Sequence, residues 1–196
     1  MTRSSLLSGT LLSKVLSRRS LCTAILVLAL LAPGSWRLCA DTGVTQEYKV
    51  KGAFLYNFAL YVEWPATAFA RDNSTFTIGI LGKNPFGYYL DKRAGQSVKN
   101  RRIVVRTLAG VEEGAECQLV FISASERGRL HQILSALGKT QVLTVSDIEG
   151  FAKAGGMIGL VAVEDKVRFE INLKEARQAR LNISSQLLKL ARDVIE

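Results

Sequence analysis

Four short apolar runs, at residues 76–81, 103–108, 118–123 and 142–145, constrain this chain more than any other feature. They are nearly continuous rather than alternating, which is how a strand reads when both of its faces are buried. Between them lie stretches with helical spacing. Residues 46–63 carry an apolar stripe of Val50, Ala53, Phe54, Phe58 and Tyr61, ended by Trp64-Pro65 because the residue before proline avoids the helical region. Residues 125–137 carry Leu130, Ile133, Leu134 and Leu137 on one face. Parallel strands need such crossovers. The expected fold is therefore α/β: a single domain with a mostly parallel or mixed sheet flanked by helices.

The chain ends differently. Gly155-Gly156 should supply a tight turn, after which residues 157–163 and 167–173 flank Glu164-Asp165-Lys166 in the manner of a β-hairpin. Alternation places Phe169 and Ile171 on the face toward the sheet core, and Arg168, Glu170 and Asn172 on the other. Residues 174–180 and 183–195 read as helices, the last with Ile183, Leu187, Leu190, Ala191 and Val194 on one side. Residues 86–93 form a short predicted helix, and residues 95–102 are polar and irregular. Asn73-Ser74 marks a turn. Arg101, Arg102 and Arg106 are expected in solvent, and Ser146-Asp147 should cap a short helix through Lys153.

A length of 196 residues with 48% apolar composition supports one core. The first forty residues have the form of an export signal: Arg18-Arg19, then an apolar run over 21–32, then Pro33-Gly34 and a cut expected after Ala40. The run is too short for a comfortable membrane span of about 20 residues. The general secretory route is favoured over the twin-arginine one, since paired arginines also occur in ordinary signals. This leaves residues 41–196 as the mature domain, periplasmic and without stable membrane insertion. The net charge of +9 falls to a surplus of four there, 21 basic against 17 acidic residues, which supports no nucleic-acid partner. Cys117 is the one cysteine beyond the expected cut; it is read as a partly buried thiol, or else as a redox thiol bridging two chains.

Tests for chemistry return little. The turn at Gly82-Lys83-Asn84 lacks the glycine spacing and the Lys-Ser/Thr pair that cradle phosphate. His131 is the single histidine, and no spacing suggests a metal site. Ser123, His131 and Asp147 could be drawn as a hydrolase triad, but nothing around Ser123 resembles a nucleophile elbow. No cofactor is implied, and the expected class is not an enzyme. Contact remains. Tyr56 and Trp64, in an aromatic run that cannot all share one helix face, are candidate partner-binding residues, as are Glu170 and Asn172.

The strings Phe58-Ala59-Leu60-Tyr61-Val62-Glu63-Trp64-Pro65, Ile80-Leu81-Gly82-Lys83-Asn84-Pro85-Phe86-Gly87, Cys117-Gln118-Leu119-Val120-Phe121-Ile122-Ser123 and Val142-Leu143-Thr144-Val145, with the glycine turn and hairpin, resemble the YfiR family of bacterial periplasmic proteins. The resemblance runs from about Tyr48 to Ala191. It implies repression of a membrane diguanylate cyclase through that enzyme's periplasmic domain, with control of cyclic di-GMP and biofilm formation, and a tendency to form homodimers. It also implies a disulfide between the cysteine at Cys117 and one in the first strand region, yet residues 76–81 hold no cysteine. The alternative is a periplasmic small-molecule-binding module acting on another receptor or transporter. That reading calls for an apolar pocket with a few polar groups at the strand ends.

Overall fold

The apolar run that opens the sheet becomes its centre. Thr75–Leu81 forms strand β2, buried along nearly its whole length because it has neighbours on both edges and packed layers on both faces. The computed structural model describes residues 41–69, 75–164 and 166–196, with side chains from residue 46 onward. The expected export signal and the Asn73-Ser74 turn lie outside these residues, as does Asp165 at the hairpin tip. Asp41–Glu196 forms one compact unit.

In chain order the elements are α1 (Asp41–Tyr61), β1 (Val62–Glu63), β2, α2 (Tyr88–Asp91), β3 (Ser97–Val98), β4 (Arg101–Leu108), β5 (Leu119–Ile122), α3 (Leu130–Leu137), β6 (Leu143–Ser146), β7 (Ile158–Val163), β8 (Lys166–Asn172), α4 (Leu173–Gln178), β9 (Asn182–Ile183), α5 (Ser185–Leu190) and β10 (Asp193–Ile195). Eight strands make one sheet in the order β10-β8-β7-β6-β5-β2-β4-β3. The run β4-β2-β5-β6-β7 is parallel. β7 and β8 form the expected antiparallel hairpin. The α/β reading holds.

Alternation along each buried strand feeds two cores. In β5, Leu119 and Phe121 face the layer containing α1, while Val120 and Ile122 face the layer containing α3. The first core is the larger. Phe54 and Phe58 of α1 meet Phe169 of β8 with ring centroids 5.4 and 5.3 Å apart, both edge-on. The buried face of α1 is Leu55, Phe58 and Ala59, with Lys51 and Gly52 above them. Val50 and Tyr61, assigned to the apolar stripe from their spacing, are each 38% exposed. The stripe is rotated because a lysine occupies the core side.

Departures from the sequence reading cluster where strands are very short. The last predicted helix is three elements. Ile183 pairs with Val62, the Ser184 hydroxyl accepts from Leu187 N–H to start α5, and Asp193–Ile195 runs parallel to Glu170, Ile171 and Asn172 of β8. β8 otherwise offers an unpaired edge, and β-branched Val194 and Ile195 suit it. Leu190 is left 65% exposed, so it is no core position. The irregular stretch at 95–102 is a hairpin in which Lys99 (φ 49°) and Asn100 (φ 65°) make the two-residue turn between β3 and β4. Residues 124–129 wind as a 3-10 turn before α3, and residues 148–155 form successive turns in place of the predicted helix. There the Ser146 hydroxyl accepts from Ile148 N–H at 3.0 Å and donates to Ile122 C=O at 2.6 Å. Arg102 and Arg106 are exposed, but Arg101 lies half-buried with its guanidinium 3.8 Å from the Phe69 ring centre.

Gly155 adopts φ 100°, and Gly156 N–H donates to Phe151 C=O at 3.0 Å. A Cβ on Gly156 would lie deep inside contact distance of the Phe151 ring, which is itself buried. Gly156→Ala should therefore lower the urea midpoint by the equivalent of about 1–3 kcal/mol. An unchanged midpoint would show that the ring swings aside at little cost.

Candidate functional site

In an open parallel sheet the crevice for ligands lies where successive crossovers leave in opposite directions, at the carboxyl ends of the strands. Here that point falls between β2 and β5, because β4 adds to one edge of β2 and β5 to the other. The chain's own groups close it. Gly82 (φ 89°) has the Ser125 hydroxyl and the Glu126 side chain against the place a Cβ would occupy. Ser125 Oγ accepts from Lys83 N–H at 3.0 Å, and Ser123 N–H donates to Leu81 C=O at 3.0 Å. The Lys83 and Ser123 backbone donors at this point are already paired.

Beside this closed crevice, at the end of β6, sits a buried charged cluster that the sequence did not single out. Asp147 Oδ2 accepts from Lys51 Nζ at 2.6 Å and from the Tyr48 hydroxyl at 2.7 Å. The Lys51 and Asp147 side chains are each 6% exposed. Lys51 also reaches Glu47 at 2.6 Å and lies 4.4 Å from the Tyr48 ring centre. Burial, reinforced by the bond to Asp147, pushes the Tyr48 hydroxyl well above the ordinary phenol range. Asp147 Oδ1 is buried with no hydrogen-bond partner among the described residues. Spacing could not reveal this cluster, because its members are about a hundred residues apart.

The cluster also answers the hydrolase reading. Asp147 is committed to Lys51 and Tyr48, the Ser123 hydroxyl accepts from Ser125 N–H, and His131 is exposed on α3. The three are not assembled. Among the described residues no group of His, Cys, Asp and Glu could hold a metal ion.

At the opposite, amino end of the sheet, Trp64 and Gln118 act as ties. The Trp64 indole donates to Gln118 C=O at 2.9 Å and its ring stands edge-on to Phe76 at 5.0 Å. The Gln118 side chain accepts from Thr77 N–H and donates to Ala68 C=O, both at 2.8 Å. Trp64 thus fixes the segment after α1 to the sheet. Cys117 follows the same edge. It is a free thiol, 3% exposed, with Sγ 3.6 Å from Glu113 C=O. Burial pushes it up to about 11, against a smaller opposing pull from Arg106. Gly79 is its counterpart on β2, since a Cβ there would sit 2.9 Å from Cys117 Sγ.

Glu170 and Asn172, read as candidate partner-binding residues on the polar face of β8, are covered. Glu170 is 9% exposed and pairs with Arg192 at 3.4 Å. Asn172 Nδ2 donates to Ala152 C=O at 2.8 Å and its Oδ1 accepts from Glu175 N–H at 3.1 Å, capping α4. Asn172 is spent on the fold, tying the turns at 148–155 to β8 and capping α4. Phe169 and Ile171 are in the first core. Tyr56 alone of the four partner candidates keeps a half-exposed ring without a hydrogen-bonded structural task among those described, with Arg93 5.0 Å above its centre.

Lys51→Met leaves the Asp147 carboxyl buried without its cation, and should destabilise the fold by about 3–5 kcal/mol in urea titration. Lys51→Met combined with Asp147→Leu should recover most of that loss. A second expectation concerns Cys117. A thiol near 11 is roughly one-thousandth thiolate at pH 8, so native alkylation by iodoacetamide should be orders of magnitude slower than in urea. Equal rates would mean the thiol is open.

The YfiR/HmsC-like family profile matches residues 48–192, nearly the whole described unit. Among curated proteins none matches the chain. A solved structure of a conserved domain protein from Vibrio cholerae O1 biovar El Tor is similar at a TM-score of 0.52 and 9% identity, covering 75% of this chain and 60% of that one. The ABC domain in complex with L-Trp from Streptococcus pneumonia gives a TM-score of 0.47 and 13% identity over 78% of this chain and 60% of that one. The chain thus spans about 60% of the length of either structure, and the Vibrio likeness is one of fold. Among the described residues no helix is long and apolar enough to cross a membrane. The profile match extends from the first helix to the last strand connection, and on it the chain belongs to the YfiR/HmsC-like family.

Proposed function

We propose that this protein is an exported regulator which represses a membrane diguanylate cyclase by binding that enzyme's periplasmic domain, and so limits cyclic di-GMP and biofilm formation. The family match over residues 48–192 carries this reading. The packing at Gly82 supports it: Ser125 and Glu126 lie against this glycine at the end of β2, beside the point where a small-molecule module of this architecture would take its ligand. The residues 1–40 serve in this reading as a signal for the general secretory route, cut after Ala40.

Repression then follows from differential affinity. The regulator binds the inactive conformation of its partner more tightly, and the partner's population shifts toward it. Moving a two-state partner from almost wholly active to almost wholly inactive requires a preference of about 10⁴-fold. A rigid, pre-organised surface suits this, since little ordering is then needed on binding.

Deleting the gene should raise intracellular cyclic di-GMP and surface attachment, and the tagged full chain should recover a membrane diguanylate cyclase from detergent extracts. Unchanged cyclic di-GMP together with no cyclase in the recovered material would remove the proposal.

A further inference from the structure

Three tyrosines and three cations form one face across α1 and α2, with Lys49, Tyr88 and Lys92 exposed and Tyr56, Tyr89 and Arg93 half-buried. Lys49 and Tyr56 lie two turns apart on α1, hence on the same side of it. Tyr88, Tyr89, Lys92 and Arg93 come from α2 and the residues just after it. Lys49 Nζ lies 4.7 Å from the Tyr89 ring centre, Lys92 Nζ 4.5 Å from that of Tyr88, and Arg93 5.0 Å from that of Tyr56. The Tyr88 and Tyr89 rings are themselves 5.0 Å apart.

The core accounts for only part of this face: Tyr56 packs against it, and Tyr88 and Tyr89 do not belong to it. Phe86 and Leu90, on either side of the tyrosine pair, are 1% exposed, and Phe86 packs edge-on between Tyr48 and Phe121. Gly87 (φ 52°) turns the chain between them in open space, and Tyr88 emerges 58% exposed. Apolar ring surface is thus held out in water, each ring under a cation that restricts its motion. Tyrosine and arginine are the side chains most enriched where protein partners bind tightly. Asp91 is the one acid on α2, against Lys92 and Arg93 just after it; Lys49 adds a third cation from α1, where the neighbouring Glu47 is paired with Lys51.

We propose that this face docks an acidic protein segment, whose carboxylates meet Lys49, Lys92 and Arg93 while its apolar side chains pack on Tyr88 and Tyr89. An anionic bilayer is the weaker fit. Each cation near such a surface strengthens association by only roughly fivefold, and the face offers no long aliphatic or indole side chain to insert. The identity of the segment as part of a cyclase rests on the function proposed above; the chemistry of the face does not.

The test uses the purified protein and a fluorescent peptide rich in glutamate with interspersed leucine and phenylalanine. Binding should weaken about tenfold in K49E/K92E/R93E, and weaken in Y88A/Y89A with the salt response retained. K139E/K174E/R177E, which reverses three exposed cations elsewhere, should stay within about twofold of the parent. Equal weakening by the two charge-reversed triples would overturn the proposal, since net charge alone would then explain binding. So would phosphatidylglycerol vesicles that bind more tightly than the peptide and lose binding with K49E/K92E/R93E. The same variants tested on the cyclase periplasmic domain separate the two claims. Peptide binding that follows the stated ranking, with no binding of that domain, upholds the face and removes the cyclase.

Discussion

Strand β2 is covered on all sides, and the remaining architecture answers that constraint. Phe76, Ile78 and Ile80 point into one core and Leu81 into the other, so both faces must be packed, and its ladder groups need a strand on each edge. β4 and β5 supply the edges. α1 covers one face, and α3 with the 3-10 turn at Val111–Glu116 covers the other. Gly79 lies within this strand because Leu108 and Cys117 already fill the space above it. The thiol is buried by the same close packing that requires the glycine, with Leu108 and Cys117 both against Gly79.

α1 is the element whose placement matters most to function, and it is held by unlike means along its length. Its middle is fixed by aromatic contacts with β8, and its end by the β1–β9 pairing and by Ser184 N–H donating to Tyr61 C=O at 3.0 Å. Its beginning is fixed by Lys51 and Tyr48 on Asp147. A buried ion pair adds little net stability over an apolar packing, because desolvation offsets most of the attraction. What it adds is a single allowed position, since sliding α1 by one residue would leave two buried charges unpaired. The exposed tyrosine and cation face is partly built on this helix, so the cluster beneath sets the geometry of the surface above.

The larger strands were legible in the sequence because double burial leaves a continuous apolar run. The β7–β8 hairpin was legible because charged residues separate two such runs. β1, β3, β9 and β10 were not, since two or three residues carry no periodicity and their existence depends on a distant partner. The rotation of α1 was hidden by Lys51, whose charge argues for solvent until Asp147 is placed beside it. Among the residues singled out from sequence, Trp64 and Asn172 had the right chemistry for contact but make it within the chain. Tyr88 and Tyr89 passed without notice in a segment read simply as a short helix.

The sequence by itself determined the layer order, the mostly parallel sheet with its antiparallel hairpin, and the family. These follow from local apolar patterning and from ordered strings of residues, which need no knowledge of distant contacts. Only the tertiary structure decided which polar residues are spent and which are free. Asn172 and Trp64 are consumed by caps and ties, Asp147 by a lysine nearly a hundred residues away, and the crevice at the strand ends by Ser125. Tyr56, Tyr88 and Tyr89 keep accessible ring surface. A polar or aromatic side chain carries the same chemistry in either case; whether it is available to a partner depends on what the folded chain has already placed against it.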